Sequence, residues 1–278
     1  MNRRAVSATT LLAAASLLLL LPPATASAQM RTTERDAAPA PYTGMATTAP
    51  HEAGAAPGAG RRAESLTDDE KRLLAVARED RAPYADFLKG PRTGIVRLLP
   101  RETYDGKLAL RGGGAYYSFA RRAHEYGYGS DVELQLGQFS SGFAGADFGF
   151  LVDLGDAPLE EVSKETEAVR FMADFKPPSA EAEARARRDE FMRVVVRASE
   201  GRSVRGLQVG GWTYSGVVPA EVGHTYALRS INYESSDVLV AFRVLRRDDN
   251  GSVVLLWKTL KGYRTPTLRA GPAAPAVW

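Results

Sequence analysis

The stretch from Gly112 to Gly155 holds the residues of this chain best suited to chemistry or recognition. Within it, His124-Glu125-Tyr126-Gly127-Tyr128-Gly129-Ser130-Asp131 sets an imidazole beside two carboxylates. A histidine in such company can be a general base, or a metal ligand with oxygen partners. His124, Glu125 and Asp131 are therefore the candidate catalytic residues. Two features weigh against them. His124 and Glu125 are sequence neighbours, and neighbours on a strand point to opposite faces. The other histidines are His51 and His224, so no H-E-x-x-H pairing exists, and zinc would need His124 to meet His224 beside Glu125 or Glu221. No metal site and no cofactor are expected. The plainer expectation for His124 is a part-exposed side chain hydrogen-bonded within a loop.

The same stretch offers a second chemistry. Tyr126 and Tyr128 alternate with glycines, and Tyr116 lies shortly before them. Flat rings stack on sugar faces or peptide groups, and glycine lets the backbone come close. These three tyrosines are the candidate ligand-binding residues, on a loop where function tends to concentrate. Phe139, Phe143, Phe148 and Phe150 are expected in the core.

Other chemistries find no support. No G-x-S-x-G surrounds Ser118, Ser140, Ser141 or Ser215. The chain has no cysteine, which removes thiol catalysis, iron–sulfur clusters and disulfides together. No phosphate-binding loop is completed, since Gly127-Tyr128-Gly129 is not extended to G-x-G-x-x-G. Asp131, Glu133, Asp147 and Asp153 lie on or near strands, but their spacing alone identifies no carboxylate pair.

The charge of +3 falls to +1 once Arg3 and Arg4 are set aside, which argues against nucleic acid as a partner. Those two arginines open a segment with the marks of a secretory signal. An apolar run from Leu11 to Leu21 follows, then Pro22-Pro23, then the small residues Ala26-Ser27-Ala28. The run is too short to span a bilayer, and no later stretch is long and apolar enough, so the mature protein is expected to have no transmembrane segment. Residues 1–28 are thus read as a signal peptide and 29–65, rich in Ala, Pro, Thr and Gly, as a disordered linker. Residues 66–263 form a single mainly-β domain, and 264–278 a flexible tail.

Local signals assign the elements that must position the candidates. Thr67 with Glu70 makes a capping box before Leu73, Leu74, Val76 and Ala77. A second helix follows Pro177-Pro178, capped by Ser179. Most of the remainder alternates as strands, including Val132–Leu136, Val169–Phe175, Thr225–Arg229 and weaker runs such as Lys107–Arg111. Val238–Leu245 and Val253–Leu260 flank Asp248-Asp249-Asn250-Gly251, and Asn-Gly predicts a type I′ turn with both residues at positive φ. The fold class is mainly β, α+β by count: an antiparallel sandwich or open barrel with an N-terminal helix and one further short helix. The matching Gly113–Ser118 and Gly210–Ser215 segments are taken as coincidence.

The expected function is an exported, non-enzymatic binding or structural module, periplasmic or extracellular, with an envelope polysaccharide or protein as partner. The alternative is an exported hydrolase of envelope or polymeric carbohydrate, with the His124/Glu125/Asp131 loop at its centre. Exported material should begin at Gln29 on N-terminal sequencing; material beginning at Met1 in envelope fractions would refute the cleavage site.

Overall fold

The computed structural model describes residues 66–143, 145–197 and 202–269. The proposed signal, the linker and the last nine residues of the tail lie outside them. The described chain is built mainly of antiparallel strands, as anticipated. Five make one sheet in the order β1 (Thr93–Leu98), β13 (Val253–Gly262), β12 (Ser236–Arg247), β11 (Thr225–Asn232), β5 (Phe148–Asp153). Four make a second: β10 (Val217–Pro219), β4 (Gln138–Ser140), β3 (Val132–Gln135), β2 (Tyr116–Tyr117). Two-stranded ribbons join β6 (Val194–Arg197) to β7 (Arg202–Arg205), and β8 (Leu207–Val209) to β9 (Trp212–Tyr214). The helices are α1 (Asp68–Leu74), α2 (Arg78–Arg81), α3 (Arg101–Tyr104), α4 (Glu167–Asp174) and α5 (Glu181–Met192).

The two large sheets face each other and share a core. Phe139, Leu134 and Tyr117 from the smaller sheet meet Tyr226, Phe242 and Trp257 from the larger. One seam is stitched: Leu151 and Ser215 exchange backbone hydrogen bonds at 2.7 and 2.9 Å, and Ser215 leads directly into β10. At the opposite side β1 and β2 remain edge strands, linked near their ends by Leu99 N–H to the Gly114 carbonyl at 3.1 Å. The result is a sandwich closed along one side and open along the other.

The five-stranded sheet has a second covered face. There Phe148, Phe150, Ala227, Ile231, Leu239 and Ala241 pack on α4 and α5. Phe150 stacks on Phe191 of α5, with ring centroids 4.1 Å apart. This layer corrects two expectations. Thr225–Arg229 is a strand as expected, but its alternation does not mark one buried face: every residue of β11 is buried, because both faces of the sheet are covered. Residues 169–174 are not a strand but most of α4, and Phe175 is its C-cap. Its buried residues Ala168, Val169, Met172 and Ala173 form a helical stripe against the sheet, and that packing overrides the strand-like alternation of Val169, Phe171, Ala173 and Phe175.

Other local expectations fare variously. The Thr67/Glu70 capping box forms, but α1 ends at Leu74. Ser179 does not cap α5; Ala180 holds that position, and the Ser179 carbonyl accepts from Arg269 N–H at 2.8 Å. That bond, with Glu234 N–H donating to the Pro266 carbonyl at 2.9 Å, docks the first part of the supposed tail. Lys107–Leu110 is turn and bend and Arg111 opens a short 3-10 helix, so none of the run is strand. The β12–β13 hairpin forms as anticipated, with a different turn. Gly251 sits at φ 82, whereas Asn250 does not have positive φ. Gly251 N–H donates to the Asp248 carbonyl and Asp248 N–H to the Ser252 carbonyl, both at 2.9 Å, as in a type I turn followed by a glycine bulge.

Buried charge concentrates between sheet and helices. Arg229 of β11 is 0% exposed. Its Nε and Nη2 donate to the two carboxylate oxygens of Asp237 at 2.6 and 2.8 Å, and Nη1 donates to the Met172 carbonyl of α4 at 3.0 Å. Burial pushes the Asp237 carboxyl upward, and the guanidinium opposes it. Nearby, Asp147 accepts from Tyr233 N–H at 2.8 Å, and burial pushes its carboxyl up to about 6.

Asp237→Ala should strand the Arg229 charge and cost about 3–5 kcal/mol in denaturant unfolding. Arg229→Met with Asp237→Leu should recover most of that loss. A single-variant cost under about 1 kcal/mol, the range of exposed pairs, would show that the pair is not desolvated.

Candidate functional site

The region singled out by sequence assembles on the outer face of the four-stranded sheet. Alternation along β2 and β3 divides it. Tyr117, Val132 and Leu134 point into the shared core, whereas Tyr116 and Glu133 point outward and are roofed by α3 and the segment Arg111–Gly114. Glu133 is buried there. It accepts from Arg101 Nη1 at 3.1 Å and from Ser140 Oγ at 3.0 Å. Burial first, and the Glu133 charge second, hold the Tyr116 phenol far above its usual range.

The three catalytic candidates do not combine. Asp131 is fully buried, and its carboxylate clamps the loop between β2 and β3. It accepts from Phe119 N–H at 2.6 Å, Ala120 N–H at 3.3 Å and Ser118 Oγ at 3.3 Å. Its other oxygen accepts from the Asn232 amide at 3.0 Å, tying the loop to the end of β11. Burial pushes the Asp131 carboxyl upward against these hydrogen bonds. His124 places Nδ1 3.2 Å from the Tyr116 carbonyl and packs edge-on to Tyr117 at 5.6 Å, and burial lowers its pKa. Glu125 pairs with Arg121. Each of the three is committed to a different partner. His124 is thus the loop-bound histidine of the plainer expectation.

His224 belongs to another place. Its Nδ1 lies 3.0 Å from both carboxylate oxygens of Asp153. Nothing local in the sequence marks that pair; the pairing of β5 with β11 creates it by setting Asp153 opposite Tyr226. Among the described residues no group of three or more His, Asp or Glu is arranged to hold a metal ion. A cavity of about 300 Å³ lies beside Asp156, Leu159 and Arg243, away from the candidates. Arg243 is already engaged there by Asp156 and by the Ala157 carbonyl.

The tyrosine candidates divide by exposure. Tyr126 is 38% and Tyr128 61% exposed, but Tyr116 is only 4% exposed. Tyr116 is therefore a brace and not a contact surface, because the roof that buries Glu133 buries it too. Tyr126 meets the Tyr116 ring edge-on at 4.9 Å, and the Arg111 guanidinium lies over the Tyr126 ring at 4.7 Å. Gly112 makes the arrangement possible: a Cβ there would come within 2.5 Å of the Tyr116 ring and 2.7 Å of the Tyr126 ring. Phe143 also belongs here, half-buried and edge-on to Tyr116 at 5.2 Å, whereas Phe139, Phe148 and Phe150 are core as expected. Sequence reading missed Arg111, which looked like one more strand residue. The outcome is one braced, half-exposed ring with a second, freer ring two residues on.

Comparison with known protein families, with curated proteins and with solved structures finds no match to this chain.

Asp131→Ala would leave the Phe119 amide and the Asn232 side chain without their partner. The expected cost is about 2–4 kcal/mol in denaturant unfolding, at roughly 1–3 kcal/mol per unpaired buried group. His124→Ala should cost about 1 kcal/mol. An unchanged stability for Asp131→Ala would remove the structural role assigned to that carboxylate.

Proposed function

We propose that this chain is an exported, non-enzymatic binding module of the cell envelope or extracellular space, and that it contacts its partner through the loop carrying Tyr126 and Tyr128. The single observation behind this reading is the half-exposed Tyr126 ring, fixed against buried Tyr116 and covered by Arg111, with Tyr128 beside it. A ring already held in place loses little side-chain freedom on binding, which favours affinity. Export rests on the character of residues 1–28. No helix among the described residues is long and apolar enough to cross a membrane. The partner is an envelope polysaccharide or protein, and the mixed charges of the chain speak against nucleic acid.

The hydrolase alternative needs His124, Glu125 and Asp131 to act on one substrate. The separate commitments of those side chains favour the binding reading over it.

The test is retention of the mature protein on insoluble envelope polysaccharide, run beside a broad hydrolase screen. Tyr126→Ala with Tyr128→Ala should weaken retention about tenfold or more, since an aromatic hot spot is worth roughly 1–3 kcal/mol. His124→Ala should leave retention nearly unchanged. Turnover that disappears in His124→Ala would overturn the proposal in favour of the hydrolase.

A further inference from the structure

Arg111 lies over the Tyr126 ring, and the protein does not use it as an ion-pair partner. It is exposed, and among the described residues it forms no salt bridge. The nearby carboxylates are already engaged. Glu125 pairs with Arg121, and Asp105 and Glu133 both pair with Arg101. Glu70 is drawn to the backbone of Thr67 and Ala109, at 2.8 and 2.6 Å. This leaves a positive charge set over a fixed aromatic ring, with no internal anion to neutralise it.

We propose that the ligand of this loop is an acidic polysaccharide, its carboxylate taken by Arg111 and its sugar faces by Tyr126 and Tyr128. The inference rests on the reading of this loop as the binding face. A guanidinium lying on an aromatic ring spends its flat face on the ring and keeps the N–H groups around its rim available. Those groups match a carboxylate in a two-point contact. The ligand carboxylate then lies beside Tyr126, and exposed Tyr128, two residues on, offers a second flat ring. A neutral sugar polymer would use the tyrosines and leave Arg111 idle.

An acidic peptide is the competing source of carboxylates, and the loop suits it less well. Ser130 N–H closes a turn onto the Gly127 carbonyl at 3.1 Å, so residues 127–130 offer no extended edge for an added strand. Tyr128 stands exposed and provides no apolar pocket for a peptide side chain. Exposed flat rings with one cation fit a polyhydroxylated, carboxylated ligand better.

Affinity electrophoresis of the full mature chain tests this with three probes: polygalacturonate, the same polymer after carboxyl reduction, and polyglutamate. Polygalacturonate should retard the wild type about tenfold more strongly than either of the others, and added salt should weaken the retardation. Arg111→Gln should lose about tenfold, and Arg111→Lys should fall between, since it keeps the charge without the planar fork. Tyr126→Ala with Tyr128→Ala should lose as much. Unchanged thermal midpoints confirm that these variants fold. Equal retardation by native and reduced polymer, lost in the tyrosine variant and kept in Arg111→Gln, would overturn the acidic ligand while leaving the loop as the binding face. Equal or stronger retardation by polyglutamate assigns the site to acidic peptides and overturns the proposal. So does retardation that depends on Arg111 and not on the tyrosines. Absence of retardation by all three also overturns it, and the loop itself is then judged by retention on envelope polymer.

Discussion

The packing of this protein turns on one buried ion pair. Arg229 has no access to water, because sheet covers one side of the five-stranded layer and helices cover the other. Its donors are matched to acceptors on two elements: Asp237 of β12, and the Met172 carbonyl in the last turn of α4. The second contact suits a cation, since the C-terminal end of a helix carries partial negative charge. The Tyr263 ring, just past β13, lies against the guanidinium at 3.2 Å. A single side chain thereby fixes the pairing of β11 with β12, the seat of α4 and the path of the chain leaving the sheet. Its net contribution to stability need not be large, because desolvation cancels much of the attraction. Its contribution to uniqueness is clear. A one-residue slip of β11 would turn Arg229 toward Phe139, Phe242 and Trp257, where no anion waits.

How much of this was legible in the sequence follows from how local each feature is. The Thr67 capping box and the β12–β13 hairpin depend on residues a few positions apart, and both form. The hairpin turn differed because Asp-Asp-Asn-Gly supports a five-residue loop with one positive-φ residue as readily as a tighter turn with two. Helix α4 could not be read, because a short segment with Val169, Phe171, Ala173 and Phe175 in alternation fits either period; contact with the sheet decides. Asp131 looked catalytic because burial is a property of the fold. Once its four donors are in place, the same carboxylate reads as a clamp. Arg111 carried no local signal at all, and only the approach of the Tyr126 ring singles it out.

The tyrosine site and the core are built on opposite faces of the same short strands. Tyr117 and Tyr116 are adjacent, and one fills the sandwich while the other supports the outer surface. Buried polar groups do the supporting work. Glu133, paired across the strands with Tyr116, holds Arg101 and Ser140, Asp131 holds the loop that returns past Tyr126 and Tyr128, and Asn232 connects that loop to the central sheet. The exposed rings are thus the visible end of a buried hydrogen-bonded frame. That frame is the usual condition for holding a recognition surface in a single geometry.

The uneven depth of the two sheets also has a kinetic side. All eight residues of β11 are buried, and the strand is paired along both edges, to β5 and to β12. Its amide protons can reach solvent only when the whole sheet separates, so their hydrogen–deuterium exchange reports the global opening reaction. Strand β2 is held by two residue pairs to β3 and is otherwise an edge. It belongs to the part of the molecule that opens on its own, at lower free energy. The ring-bearing loop hangs from that shallow strand while its anchor, Asn232, sits at the end of the deepest one. Occupation of the loop would therefore slow exchange in β2 while leaving the rates in β11 tied to overall stability.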